Sequence, residues 1–251
     1  MGNYTEGCLI CGSKIVYFDN EKEVDCSVCG KEFSSNALCE KGHFVCDECH
    51  RKKGFEDIKA IARLSSSINP IEIADEMMGM DTIHMHGPEH HFLVAVALLT
   101  SYSNLKKSDE LEEKNPCNLY DSEGINNDII FKAEERALKV PGGICGFWGS
   151  CGAAIGAGIF ISIITEATPL TVESWSKANL AVSNALKTIS ENGGPRCCKR
   201  NTFLAITTTV DFLGEYFDVH LEMPETIECK YYSRNNECKL NKCIYYKKRK
   251  Y

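Results

Sequence analysis

Beyond residue 54 the apolar positions of this chain recur at spacings of three and four, and the elements they predict are helices. Ile58, Ile61 and Leu64 mark one over Phe55–Leu64. Asn69-Pro70 opens a second over Ile71–Met78, with Glu72, Asp75 and Glu76 on its polar face. Gly87-Pro88 turns the chain into Phe92–Tyr102, a run apolar enough to be buried, with Pro88 suited to the first helical position and Glu89 to the first turn. The polar, acid-rich stretch Asn104–Asn127 reads as an exposed excursion, and Cys117 within it as a passive thiol. Helices follow over Asn126–Leu138, with Ile129, Ile130 and Phe131 as its apolar residues, and over Thr171–Ser190. In the latter Glu173 follows a Thr-led cap, and the stripe is Trp175, Leu180, Val182, Leu186 and Ile189. The last predicted helix, Thr202–Phe217, is strongly apolar.

One segment breaks the helical rules. Val140–Thr165 carries no charge and holds Gly146, Gly149, Gly152, Gly156 and Gly158, each costing about 1 kcal/mol relative to alanine inside a helix. Such violations concentrate where backbone must come close to a partner, a ligand or a metal. Pro141-Gly142-Gly143 forces a turn, and a helix is predicted from near Ser150 through Ile164. Its small face is Gly149, Gly152, Ala153 and Gly156; its bulky face is Ile155, Ile159, Phe160 and Ile163. Length and the Gly152-x3-Gly156 spacing also suit a membrane span. The Pro/Gly turn and the lack of aromatic or basic anchors favour a central buried helix instead. The expected fold is therefore mainly α, with a small cysteine-rich module over 1–53 ahead of a helical His/Cys-rich domain over 54–251.

Composition decides what the first module is. The chain has 15 cysteines in 251 residues, and MGNYTEGC offers no apolar leader, so the expectation is a reducing cytoplasm with thiols kept for metals or redox chemistry. The cysteines open as two C-x2-C pairs, Cys8/Cys11 and Cys26/Cys29, followed by Cys39-x3-His43-x2-Cys46-x2-Cys49. These suffice for two tetrahedral zinc ions, with neighbouring pairs sharing an ion as in a ribbon or alternate pairs as in a RING-like cross-brace. Large apolar residues are few here, so folding without metal would be difficult. A net charge of −7 argues against nucleic acid as a partner, and the basic run Lys247–Lys250 reads as a solvated end.

Within the helical domain, a further pair of residue groups carries chemistry. His84 and His86 fall in the loop before the buried helix, and Glu89, His90 and His91 in its first turn, where imidazoles can bind a metal or act as acid and base. Gly193-Gly194-Pro195 precedes Arg196-Cys197-Cys198-Lys199-Arg200. With Pro195 at the first helical position, both cysteines would sit where free N–H groups stabilise thiolates. Three cations crowded at a helix start imply an anionic occupant: a thiolate, a metal–sulfur cluster or a small anion. The C-terminal Cys229, Cys238 and Cys243 are more loosely spaced, and could supply a further ligand or clamp the tail.

The blocks HMHGPEHH, VPGGICGFWGSCGAAIGAG and GGPRCCKR together resemble an uncharacterised family of anaerobic archaea and clostridia, over roughly Asp81 to the C-terminus. Some relatives carry a methyltransferase label, for which this chain has no Gly-x-Gly-x-Gly loop after a strand. CGAAIGAG is also similar to the motif of redox-active proteins named for their C-GCAxxG-C-C pattern. Cys151 would match the central cysteine and Cys197 or Cys198 a later one, with Ser150 and Gly152 departing from the motif.

The joint reading is one site in the helical domain. Cys145, Cys151, Cys197 and Cys198 would gather beside His84, His86, His90, His91 and Glu89, with Arg196 and Arg200 near any anionic group. Soft thiolates with imidazole suit an iron–sulfur cluster or another thiophilic metal, and hence redox or sulfur chemistry. A metal-free dithiol, or a carrier or scaffold docking a redox or other protein partner through its zinc module, are the alternatives.

Overall fold

The computed structural model describes residues 8–108, 118–121 and 124–247; Cys117 and Lys248–Lys250 lie outside them. The chain divides into two compact units, Met1–Lys53 and Gly54–Tyr251.

The first unit is built on an antiparallel hairpin of β1 (Ile15–Asp25) and β2 (Glu32–Cys39), with Ile15 opposite Cys39 and Asp25 opposite Glu32. Phe33 packs on Phe44 with ring centroids 5.8 Å apart. Among its described residues the buried apolar set consists of Cys8, Cys26, Cys39 and Cys46 alone. A core made of thiols offers little transfer free energy of its own.

The helix α1 (Asp47–Leu64) starts a good two turns before the predicted Phe55. The His50 N–H closes on the Cys46 carbonyl at 2.9 Å, and Asp47 and Glu48 favour the helix start. Gly54, at the expected boundary between the two modules, lies within this helix, and a Cβ there would fall 3.0 Å from both Glu89 and Ile83. Leu64 ends the helix exposed, unlike Ile58 and Ile61.

The second unit continues with α2 (Pro70–Gly79), α3 (Glu89–Ser108), α4 (Asn127–Leu138), α5 (Ile144–Phe147), α6 (Gly152–Ile164), α7 (Glu173–Glu191) and α8 (Cys198–Phe217). Asn69 caps α2 through its side chain, and Asn126 caps α4. Every residue of α3 from Glu89 to Ser103 is buried, and α6 packs against α3, α4, α7 and α8. Among the described residues no helix is long and apolar enough to cross a membrane.

Some predicted faces differ. Phe131 is half exposed, under the Lys59 ammonium 5.4 Å from its ring, while Lys59 is buried against Glu134 at 3.0 Å. Trp175 is also half exposed; the buried line of α7 is Ala181 and Ala185, small enough to admit α6. Thr171 bonds back to Thr168 rather than capping α7. The helix α8 starts at Cys198 rather than Thr202.

The glycines of α6 are contact points. A Cβ on Gly152 would fall 2.0 Å from the His91 ring, one on Gly156 2.6 Å from the His91 carbonyl, and one on Gly158 2.2 Å from Val182. Gly156→Ala is therefore expected to lower stability by about 1–3 kcal/mol despite its gain in helix propensity. Gly146→Ala, where nothing lies within 4 Å, should be neutral. Urea unfolding of the two variants checks this.

Candidate functional site

In the first unit the eight ligand-type residues fall into two groups, Cys8/Cys11/Cys39/His43 and Cys26/Cys29/Cys46/Cys49, with the ligand atoms of each within 4.8 Å of one another. Alternate pairs meet, the cross-brace arrangement. Each C-x2-C-Gly is a knuckle: Gly12 and Gly30 take left-handed φ values of 71° and 68°, and their N–H groups close on the carbonyls of Cys8 and Cys26. Gly42, at φ 84°, closes the turn from Cys39 to His43 in the same way.

The ligand spacings fit a single small ion. Cys11 Sγ lies 3.6 Å from Cys39 Sγ and 3.2 Å from His43 Nδ1, Cys8 Sγ 3.7 Å from His43 Nδ1, and Cys29 Sγ 3.9 Å from Cys46 Sγ. Bonds of about 2.3 Å to sulfur and about 2.0 Å to nitrogen give a tetrahedron around zinc edges of about 3.5–3.8 Å. Backbone N–H groups of Lys41 and Cys46 donate to Cys39 and Cys26. Hydrogen bonds from Ser13 draw the Cys11 thiol down to about 6, while burial and neighbouring thiols push Cys49 up to about 12. Thiols this close cannot all ionise unaided; a divalent cation among them removes the conflict.

In the second unit three cysteines from three elements line one pocket: Cys145 of α5, Cys151 at the N-cap of α6, and Cys198, the first residue of α8. His90, His91, Arg196 and Asn201 line it too. Gly143, in the left-handed region at φ 78°, makes the turn that presents α5. Asn201 donates its side-chain N–H to Cys151 Sγ at 3.4 Å. Burial pushes the Cys198 thiol up to about 12, against a hydrogen bond from the Gly87 backbone.

The vicinal cysteines diverge. Cys197 is the N-cap of α8, its sulfur accepting the Arg200 N–H at 3.5 Å, and it lines a different pocket together with Arg200. Of the three cations at this helix start, Lys199 and Arg200 are buried and Arg196 is exposed. Lys199 is fully buried, donating to the carbonyls of Met78 and Ile83 at 3.0 Å each, and burial lowers it to about 7. Arg200 donates to the carbonyls of Gly193 and Pro195, fixing the turn before α8. Pro195 thus lies in that turn, two residues ahead of the N-cap, rather than at the first helical position.

The histidines divide as well. His84 Nδ1 donates to Glu89 Oε1 at 2.7 Å, and Glu89 is wholly buried, with Gly87 and Gly54 packed on its side chain. His86 is held low by burial and by Arg196. His90 has both ring nitrogens engaged, Nδ1 with Thr202 Oγ1 at 3.0 Å and Nε2 with the His84 carbonyl at 3.2 Å. The carbonyl makes Nε2 the protonated nitrogen, so Nδ1 accepts from Thr202. Burial and Lys199 hold this ring neutral, down to about 3. Asn201 carries no signal in the sequence that would single it out, and nothing in the cation cluster told the buried Lys199 from its neighbours.

Residues 58–246 match the sequence profile of DUF5714. The chain belongs to this family, a family of unknown function. The matched span lies within the helical unit and leaves out both cysteine–histidine quartets. No curated protein and no solved structure matches the chain.

Two outcomes follow from this geometry. Chelation should abolish amide-exchange protection across β1 and β2 while α3 and α6 stay protected, measured by hydrogen–deuterium exchange mass spectrometry. For His90, the unfolded chain gains a proton below the ordinary histidine value of 6.5 that the folded ring refuses until about 3. Its contribution to stability is therefore whole above pH 6.5 and falls away as the pH drops toward 3. His90→Gln should flatten that region of the stability–pH curve, read as the wild-type minus variant difference in urea midpoints.

Proposed function

We propose that this chain is a metal-binding protein of the cytoplasm that carries two structural zinc ions in its N-terminal unit and performs redox or sulfur chemistry at the pocket of Cys145, Cys151 and Cys198. The observation that carries the reading is the convergence of three thiols from α5, α6 and α8 on one pocket that Arg196 and His91 also line. Soft sulfur donors with imidazole favour a thiophilic transition metal or an iron–sulfur group. When bound, such a group supplies electron transfer or a Lewis-acid centre.

The chain's own residues give the rest. Asn201 orients Cys151 through its hydrogen bond, and Gly152 lets the His91 ring lie against the start of α6. Arg196 supplies positive charge for a small anionic substrate. Glu89, bonded to His84, supports the loop rather than lining the pocket. The zinc-bearing unit, outside the span shared with the family, is the region suited to docking a redox or other protein partner.

Anaerobic isolation with metal analysis and electron paramagnetic resonance tests this. The wild-type chain should carry a thiophilic metal beyond two zinc ions. A Cys145→Ser/Cys151→Ser/Cys198→Ser variant should lose its pocket share while keeping both zinc ions. A pocket that never binds metal, and only joins Cys151 to Cys198 as a disulfide on mild oxidation, would replace this reading with the dithiol one.

A further inference from the structure

The pocket that Cys197 lines lies where residues 218–247 meet the start of α8. Four thiols line it: Cys197 from the N-cap, and Cys229, Cys238 and Cys243 from the C-terminal arm. All four are free and partly buried. The whole of α8 separates Cys197 from Cys229, so tertiary folding and not local spacing brings them together.

The backbone around these sulfurs is arranged as around a metal thiolate. Three of the four accept a backbone N–H: Arg200 to Cys197 at 3.5 Å, Tyr231 to Cys229 at 3.4 Å, and Leu240 to Cys238 at 3.4 Å. The same turn recurs in the N-terminal unit, where Lys41 donates to Cys39 at 3.3 Å. Such donors favour ionised sulfur. Leu240 takes a left-handed φ of 49° in closing its turn on Cys238, a conformation a leucine rarely adopts. Arg200 and Lys239 line the pocket, as does the acid Glu237, so its side chains offset only part of the negative charge of four thiolates.

The arm itself carries little regular structure. From Asp218 to Lys247 its regular structure is limited to two single 3-10 turns, Tyr232–Arg234 and Leu240–Lys242. Loops this long are uncommon in a compact domain unless they serve a function. Its buried apolar anchors are Val219, Leu221, Tyr231 and Tyr245. The spread of the sulfurs narrows what they could bind. The ligand atoms of both N-terminal quartets lie within 4.8 Å of one another, and these four sulfurs form no such tight set. A single tetrahedral ion needs sulfur–sulfur edges of about 3.8 Å. A polynuclear cluster binds its cysteines to different irons and holds them farther apart.

We propose that Cys197, Cys229, Cys238 and Cys243 form a tetrathiolate centre for an iron–sulfur cluster, distinct from the pocket of Cys145, Cys151 and Cys198. It stands whether or not that pocket binds metal. The test takes the full chain, isolated without air and reconstituted with iron and sulfide, and measures iron, acid-labile sulfide, zinc and the spectrum after reduction. Relative to wild type, Cys229→Ser/Cys243→Ser should lose about four iron and four sulfide per chain, the content of a cubane cluster, with zinc unchanged. Cys145→Ser/Cys151→Ser/Cys198→Ser should keep that portion. Should the double variant fold poorly by circular dichroism, the single Cys238→Ser variant serves, because an oxygen ligand shifts the paramagnetic signal of the reduced cluster. Full iron and sulfide in the double variant, an unshifted signal in Cys238→Ser, loss of one zinc ion instead of iron, or no iron uptake by the wild-type chain would each overturn the assignment.

Discussion

Glycine contact between α6 and α3 is the constraint on which the helical unit rests. At Gly152 and Gly156 there is no room for a methyl group between α6 and His91. The intrinsic cost of each glycine in a helix is offset by the packing it permits, since α3 is buried along most of its length and α6 touches four other helices. The same contact fixes a chemical geometry. It holds the N-cap of α6, Cys151, beside the first turn of α3, where the start of α8 brings Asn201 and Cys198 to meet it. Packing and pocket are thus one arrangement, and a bulkier residue on the small face of α6 would disturb both.

The N-terminal unit solves the problem of stability differently. Among its described residues the buried apolar side chains are all cysteines, grouped so that coordination of a metal could stand in for dispersion and hydrophobic transfer. Three glycine-closed turns aim the ligands, and the hairpin between them sets which pairs meet.

Much of this was legible in the residues. C-x2-C spacing announces a metal knuckle wherever it falls, and the cluster of glycines in an uncharged run marks close approach regardless of what approaches. Asn69-Pro70 and Asn126 announce helix starts because their side chains cap locally. What escaped the reading depends on tertiary partners. The pairing of knuckles as a cross-brace follows from strand register. Lys199 looks like a surface cation but is buried because one carbonyl in the last turn of α2 and one in the loop after it receive it. Leu64 and Phe131 fit an apolar stripe and yet face outward, since periodicity gives a face and not its edge. The partners of Cys229, Cys238 and Cys243 were hidden because a whole helix separates them from Cys197.

The split of the vicinal cysteines joins the two pockets of the helical unit through the backbone. Cys197 and Cys198 differ by a single peptide unit, yet one caps α8 facing the arm while the other opens α8 facing α5 and α6. The two sulfurs are joined by an uninterrupted run of covalent bonds through one rigid, planar amide. If both pockets hold redox groups as proposed, these bonds would give an electron a short through-bond route between them that needs no solvent and no moving element. The start of α8 would then be a wire as well as a wall.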